Sequence, residues 1–255
     1  MSPRKDLAVN FFRRVCLLAG VALLAVPAFA GPSLTPHSAL YKVKISIAGG
    51  ELSTQLTLTD DGRYVATHTV RPTGIARVFA HGSIRETSEF YDSADGIRPD
   101  KYRSVDTLSS DKGSVDIRFD WKTGEARGMV NDTFVVSVMD AIAYDRVSIQ
   151  YELMHDLING ESRDEYVLFD VDRLQTVNVR NIGQRTIKVP AGEFEAIGIQ
   201  HETANSKRVT TLWCVKELGY LPVMVEQHRK GKLRGRAELS SYTPEPVAST
   251  VSLGQ

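Results

Sequence analysis

Apolar and polar residues alternate along most of this chain with a period of two. The clearest case is residues 114–121, where Val115, Ile117 and Phe119 alternate with polar side chains. Because successive side chains of a strand point to opposite faces of a sheet, this alternation predicts half-buried β-strands. On this basis strands are predicted at residues 41–47, 52–58, 63–70, 83–91, 101–107, 114–121, 125–131, 166–171, 177–182, 185–189, 193–200, 208–215, 221–225 and 233–242.

Short turn signals separate these strands, and residues 188–225 show them best. In the tetrapeptide 189–192, Pro190 has the fixed φ that the second turn position needs, and Gly192 can adopt a left-handed conformation. Residues 216–219 turn the chain again into the next strand. Strands joined by such short turns predict antiparallel pairing.

Two segments depart from the period of two. In residues 145–159, Val147, Tyr151, Met154 and Ile158 recur at helical spacing, and the opposite side is polar. Asp145 is the expected N-cap and Gly160 the expected C-terminal stop of this helix. Further apolar residues widen the stripe, so the helix has to be covered on more than one side.

Residues 71–82 also depart from it: Ile75, Val78 and Phe79 stand at helical spacing over barely two turns. They predict a short crossover helix. The expected fold is therefore mainly β, a single domain over residues 37–243 in which a strongly curved antiparallel sheet, an open barrel or β-roll, has one central helix packed across it. Residues 244–255 are expected to form a disordered tail.

The first thirty residues predict export. A basic stretch that includes Arg4 and Lys5 precedes an apolar run at 15–26, and small residues flank Phe29 at the end. We therefore expect residues 1–30 to be a cleaved signal peptide and the mature protein to be periplasmic. The apolar run is too short to span a bilayer, so the mature chain is not expected to cross the membrane.

Charge and cysteine content narrow the function classes further. Without the leader the net charge is about −3, and this is not the basic charge expected of a nucleic-acid-binding protein. Cys214 is then the only cysteine, so an intramolecular disulfide is not expected, and a packed thiol is favoured over a reactive one. Residues 230–236 form the one basic cluster, for which a solvated hairpin tip and a contact with anionic lipid headgroups or polymer are both open.

The sequence contains few of the motifs that carry chemistry. The six histidines show no i, i+4 pair and no cysteine partner at zinc spacing, and a G-x-S-x-G elbow does not occur. No catalytic residue, metal ligand or cofactor is predicted from these patterns, and the paired carboxylates are expected to be solvated. A binding role is therefore favoured over enzyme activity.

Several of these motifs together resemble a known family. The segments are 96–99 (Gly-Ile-Arg-Pro), 119–121 (Phe-Asp-Trp), 145–148 (Asp-Arg-Val-Ser), 189–194 (Val-Pro-Ala-Gly-Glu-Phe) and 211–213 (Thr-Leu-Trp). With the exported leader they resemble the bacterial exported proteins of domain-of-unknown-function family 3108. The resemblance implies a periplasmic β-rich domain and carries over no catalytic residue. The plan looks like that of periplasmic lipoprotein carriers, by fold-level analogy.

Three functions remain open. The first is a non-catalytic binding module for an apolar or amphipathic envelope component, with Phe79, Met154, Trp213 and Tyr220 as the expected ligand contacts. The second is a structural or interaction protein that docks an envelope partner through exposed strand edges. The third is an enzyme with a site that the sequence does not reveal.

Overall fold

One continuous β-sheet dominates this computed structural model, which describes residues 34–46, 48–109, 112–170, 173–203 and 206–245. Within these ranges fifteen strands follow the order β8-β7-β6-β5-β4-β3-β2-β1-β15-β14-β13-β12-β11-β10-β9. The first eight are β1 His37–Ile45, β2 Ala48–Leu58, β3 Arg63–Pro72, β4 Ile84–Ser93, β5 Gly96–Asp106, β6 Gly113–Asp120, β7 Glu125–Val130 and β8 Thr133–Val138. The other seven are β9 Ala143–Tyr144, β10 Glu165–Asp170, β11 Arg173–Val189, β12 Gly192–Thr203, β13 Arg208–Val215, β14 Leu221–Arg229 and β15 Lys232–Pro244.

The sheet consists of two meanders that meet at the first and last strands. Strand β1 lies between β2 and β15, and His37 is opposite Pro244 in the β1–β15 pair. Neighbouring strands are antiparallel, apart from the parallel pair of β9 and β10. Strands β8 and β9 are the two edges, so hydrogen bonds do not close the sheet. The prediction of a mainly β fold with an antiparallel sheet is confirmed.

The sheet curves until its second half approaches its first. The rings of Phe119 on β6 and Phe169 on β10 meet edge to face, with centroids 6.1 Å apart. Near them Arg146 donates to Asp170 at 2.8 Å and lies 3.9 Å from Glu86 on β4. These contacts bring the β9–β10 edge beside β4–β6 and produce a concave face that can hold a helix.

Two α-helices, α1 Ala76–Phe79 and α2 Ser148–Asn159, and one short 3-10 helix, Lys216–Leu218, accompany the sheet in the described ranges. Helix α2 packs on β4 and β5. Its Tyr151 ring lies 5.3 Å from that of Phe90 and 6.2 Å from that of His68, measured between centroids. The helix ends at Gly160, whose φ of 71° gives the left-handed C-terminal stop that glycine allows.

The start and the apolar face of α2 depart from the sequence prediction in two details. The capping residue is Val147, while Asp145 supplies the cap from two residues earlier, because its Oδ1 accepts from the N–H groups of Val147 (2.8 Å) and Ser148 (2.9 Å). Tyr151 and Met154 are buried as predicted. The prediction for Ile158 was wrong: this side chain is exposed, because it belongs to the last turn of α2, where the neighbouring residues 159 and 160 are also exposed.

Three strands also differ from prediction. Strands β8 and β9 were not predicted, and β11 is one strand where two were expected. A bulge between Asn181 and Gln184, with Gly183 at a φ of 95°, interrupts the alternation of β11 without ending it. Beyond the bulge the β11–β12 hairpin reaches β15, where Ala191 N donates to Leu239 O at 2.9 Å.

The described strands and helices all belong to one compact unit that begins at Gly31. The predicted signal peptide, residues 1–30, and residues 246–255 of the predicted tail lie outside the described residues. In the described part of the chain, no helix is long and apolar enough to cross a bilayer. Cys214 is a buried free cysteine, and burial raises the pKa of its thiol to about 12.

Candidate functional site

The four residues predicted as ligand contacts lie in different parts of the structure. Phe79 ends α1 and is 82% exposed, whereas Met154 is buried on α2. Trp213 is buried on β13, with the guanidinium of Arg185 3.8 Å above its ring. Tyr220 follows β13 and lines a cleft beside α2. The structure therefore does not bring the four side chains into one site, and the ligand contacts of all four residues stay predictions.

The cleft beside α2 has a volume of about 290 Å³. It lies between the C-terminal half of α2 with the residues that follow it and the middle of β11 and β12. One part of its wall is apolar and consists of Leu153, Leu157, Val179, Ile199 and Tyr220. The other part is polar and includes Asp156, Glu161, Ser162, Arg163, Arg180 and Asn181. A divided wall of this kind matches a molecule with an apolar and a polar end.

Tyr220 has an unusual backbone conformation at the mouth of this cleft. Its φ is 60°, in the left-handed region that a residue with a Cβ enters at a cost of roughly 1–2 kcal/mol. Gly219 before it has a φ of 63°, and Tyr220 N donates to Val215 O at 2.8 Å. The turn thus holds the Tyr220 ring beside the cleft in a conformation that glycine would adopt more easily, and such outliers are common at functional sites.

Arg163 lines the cleft and also contacts the buried acidic residues of α2. Its Nε donates to Asp156 at 2.9 Å, and its NH2 group contacts both Asp156 and Glu152. Burial alone would lower the pKa of this guanidinium, but the two acidic partners raise it. Arg163 therefore stays charged and neutralises part of the negative charge that α2 buries.

Two tyrosines complete this network. Tyr144 donates to Glu152 Oε1 at 2.7 Å, and Tyr166 donates to Asp156. Burial first, and the adjacent carboxylate in addition, raise the pKa of both phenols. Both hydroxyls therefore remain protonated donors and stabilise the two carboxylates.

Glu152 also ties α2 to the first half of the sheet. Its Oε2 accepts from Ile97 N at 2.6 Å, at the turn between β4 and β5. A Cβ on Gly96 would stand 2.7 Å from Glu152 Oε1, and Gly96 has a φ of 105°. Glycine is therefore required here for the glutamate to approach the backbone, which explains the Gly-Ile segment of the family motif in physical terms.

Two more buried contacts fix the other turns of α2. Asp145 Oδ2 accepts from Ser88 Oγ on β4 at 2.6 Å, and burial raises the pKa of this carboxyl against the effect of its donors. His155 Nδ1 lies 2.9 Å from Asp92 Oδ1, where β4 ends. Together with Glu152, these groups attach three successive turns of α2 to β4 and β5.

The hydrogen bonds of this network stabilise the packing of α2 on the sheet. Each carboxylate oxygen of Glu152 and Asp156 already accepts from at least one donor within the protein. Among the described residues, no group of three or more histidine, cysteine, aspartate or glutamate side chains could hold a metal ion. The buried charges therefore support the fold.

The pattern analysis missed this network. It placed the polar side of α2 opposite the core, yet Ser148, Glu152, His155 and Asp156 are all buried. One signal was available, the acidic i, i+4 pair of Glu152 and Asp156 on a helix, because like charges at that spacing destabilise a helix without a nearby cation. The cation, Arg163, lies beyond the helix stop, so spacing on α2 could not reveal it.

Comparison with known proteins identifies the family. Residues 39–233 match the family described as Protein of unknown function (DUF3108). The chain belongs to this family. No curated protein matches the DUF3108 chain.

Solved structures are similar to this DUF3108 chain in fold. A β-barrel-like protein of domain of unknown function DUF1849 from Brucella abortus has a TM-score of 0.56 at 12% identity, over 84% of this chain and 99% of that chain. The MucA/MucB complex of Pseudomonas aeruginosa (TM-score 0.37, 10% identity, 87% and 56% coverage) and a protein from Bacteroides fragilis described as exported, with a YmcC-like fold (0.34, 12%, 83% and 97%), are more distant. The first similarity supports the fold alone.

Proposed function

We propose that this DUF3108 protein is a periplasmic, non-catalytic binding module for an amphipathic envelope component, and that its ligand is a single-chain amphiphile with an anionic head group. The observation that carries the proposal is the divided wall of the cleft beside α2, with Tyr220 held against it in a left-handed conformation. Its volume of about 290 Å³ is at the lower end of the range for ligand sites. It suits one end of an acyl chain better than a whole phospholipid.

The polar part of the cleft wall is the basis for proposing an anionic head group. Arg180 Nε donates to Gln200 Oε1 at 2.9 Å, so this guanidinium is held in place by a neutral amide. Arg163, by contrast, is engaged by two carboxylates. Arg180 is exposed and lies opposite Gln200, on the sheet face away from the buried Val179 and Ile199. We therefore place the head group at the rim of the cleft, where the planar Arg180 guanidinium suits a carboxylate or phosphate oxyanion.

Thermal unfolding with tetradecanoate and with tetradecanol, both below their aggregation limits, tests this function. Tetradecanoate should raise the melting temperature, by the equivalent of about 2.7 kcal/mol when free ligand is a hundredfold above its Kd. The neutral alcohol should raise it less, and Arg180→Gln should remove the difference between the two compounds.

Tyr220→Gly separates binding from stability. The change removes the ring from the cleft and relieves the left-handed backbone, so lost packing is partly offset while the tetradecanoate shift falls. Lys230→Gly is the matched control, because Lys230 also has a positive φ (51°) but lies away from the cleft. An unshifted melting curve with every amphiphile, together with a lipid-free native mass spectrum of gently purified protein, would falsify the binding function.

A second function is favoured by the edge strand β8. Its outward residues Phe134, Val136 and Val138 alternate with more buried ones and are all exposed, Phe134 by 63%. An exposed apolar edge strand is a template for an added strand from another chain. Docking of an extended envelope-protein segment on β8 therefore predicts a photo-crosslink from position 134 in the periplasm that Val136→Lys abolishes.

A further inference from the structure

The end of the sheet that carries α1 combines exposed apolar side chains with basic turns. In an antiparallel meander alternate turns lie at the same end, so the β1–β2, β3–β4, β12–β13 and β14–β15 connections meet there. Contacts confirm this arrangement. Thr73 N donates to Gly49 O at 3.0 Å, Ser46 N to Arg234 O at 3.3 Å, and Lys230 N to Lys207 O at 3.0 Å. We call this region the α1 end.

The apolar part of the α1 end projects into solvent. Ile75, Val78 and Phe79 are 74%, 66% and 82% exposed. Ile45 and Leu233, on the two adjoining turns, are exposed as well. Ile45 and Ala76 of α1 line one shallow cleft, and Leu233 lines a second one with Lys44 and Ser46 at the end of β1, so the turns that carry these side chains adjoin one another. Large apolar side chains clustered in this way mark an interaction surface.

The charge at this end is strongly basic. Residues 71–85 contain three arginines and no acidic residue, and residues 229–236 contain five basic residues and no acidic one. The whole chain is neutral, so the basic charge is local. The β5–β6 turn at the same end carries Asp106, so the basic charge is concentrated at α1 and at the β14–β15 turn.

We propose that the α1 end docks on an anionic phospholipid bilayer, with Ile75, Val78 and Phe79 inserting at the headgroup boundary and the basic turns contacting the head groups. Charge complementarity selects this occupant, because basic residues beside protruding apolar side chains fit an anionic lipid surface. Helix α2 and the Tyr220 turn belong to other parts of the fold. This surface is therefore separate from the cleft and does not depend on the proposed ligand.

Vesicle co-sedimentation tests the docking surface. Residues 31–255 are used, because they form one compact unit and because the apolar run at 15–26 would itself bind lipid. Vesicles with phosphatidylglycerol in phosphatidylethanolamine should bind the protein at low salt and release it as salt rises. Vesicles of phosphatidylcholine alone should bind it much less.

Substitutions on the two parts of the surface should each weaken sedimentation. Lys230→Ala and Lys232→Ala should each lower the partition coefficient about fivefold, because a basic residue near an anionic surface contributes about 1 kcal/mol to membrane binding. Phe79→Ser should lower it about tenfold through loss of buried apolar area. These positions are exposed or lie on turns, so their melting curves should match that of the unchanged protein.

Two controls keep the result specific. Val138→Ser changes a similarly exposed apolar side chain at the far end of β8 and should leave sedimentation unchanged. Tyr220→Gly should also leave it unchanged, so failure of the ligand proposal and failure of the docking proposal give different results. Equal binding to neutral and anionic vesicles, no binding to either, or equal losses for Val138→Ser and Phe79→Ser would overturn the proposal. Absence of vesicle binding would instead favour a protein or polymer partner for this surface.

Discussion

The two helices place their side chains in opposite ways. Helix α2 buries polar and charged groups, among them Glu152, His155 and Asp156, whereas α1 exposes Val78 and Phe79. Both arrangements run against the usual distribution of residue types between core and surface. In α2 the buried side chains of Ser148, Glu152, His155 and Asp156 each have a partner within the protein, so the exception is compensated locally, although the buried Tyr151 hydroxyl has none among the described residues. In α1 the apolar groups face solvent among the described residues, which is why we assign them an external partner.

This difference between the two helices separates residues that stabilise the fold from residues that are available to bind a partner. A buried carboxylate that accepts hydrogen bonds from a tyrosine, a guanidinium and a backbone N–H, as Glu152 does, is explained by the fold. An exposed phenylalanine on a four-residue helix is not. Four changes would sharpen or break this distinction.

Met154→Asp should have the largest effect. Met154 is buried on α2, so the change places a carboxylate without a designed partner in the core and should cost about 4–5 kcal/mol of unfolding free energy. Denaturant unfolding measures the loss. Met154→Leu, which conserves volume, should cost less than about 1.5 kcal/mol. An unchanged midpoint for Met154→Asp would show that this side of α2 is not core.

Arg163→Met should cost less, about 2–3 kcal/mol. The change leaves Glu152 and Asp156 buried without their shared cation, but the Arg163 side chain is itself 36% exposed, so solvent screens part of the interaction. Adding Glu152→Gln should recover part of the stability, because it removes one of the two uncompensated charges. A loss in the double variant that equals the sum of the single losses would contradict the shared-cation account.

How much of this fold the sequence pattern predicts depends on how far apart the interacting residues are along the chain. Period-two alternation is local, so most strands, the position of α2 and its Gly160 stop were visible in the sequence. The pairing of β1 with β15 joins residues about two hundred positions apart, and no local period records it. Strand β8 lacked a clean alternation in the sequence because Val135 stands between Phe134 and Val136, so residues 134–136 are all apolar.

The candidate site was less predictable than the fold. Tyr220 was expected from its aromatic character next to a turn, and its place at a cleft depends on the left-handed backbone at Gly219 and Tyr220. Arg180 gave no signal, because its hydrogen-bond partner Gln200 lies on the next strand, β12. Spacing along one strand cannot report a wall that three distant segments build together.

A histidine that packs against α2, His68 on β3, should also make stability depend on pH. His68 lies beside Tyr151, and burial first, then the neighbouring His37, lower the pKa of His68 to about 4. Between that value and about 6.5 the unfolded chain binds more protons than the folded one, so stability is lost as the pH falls through this window, by about 2–3 kcal/mol. Asp145 has a raised pKa and acts in the opposite direction, so the comparison has to be with His68→Leu. That variant should lose less stability between pH 7 and pH 4.5, and identical profiles for the two proteins would rule out the contribution of His68.

Phe79→Ser should have the smallest effect on stability, within about 0.5 kcal/mol, because its side chain is 82% exposed and little apolar area is returned to water on unfolding. The same residue type on β4 provides the contrast: Phe90 is fully buried, and Phe90→Ala should cost about 3–5 kcal/mol. If Phe79→Ser instead lost more than about 1 kcal/mol, α1 would have to pack against the sheet, and its exposed side chains would no longer require an external partner. A stability change near zero, joined to a loss of vesicle binding, would place the role of Phe79 at the surface, since only an interaction absent from the folded monomer can explain both results.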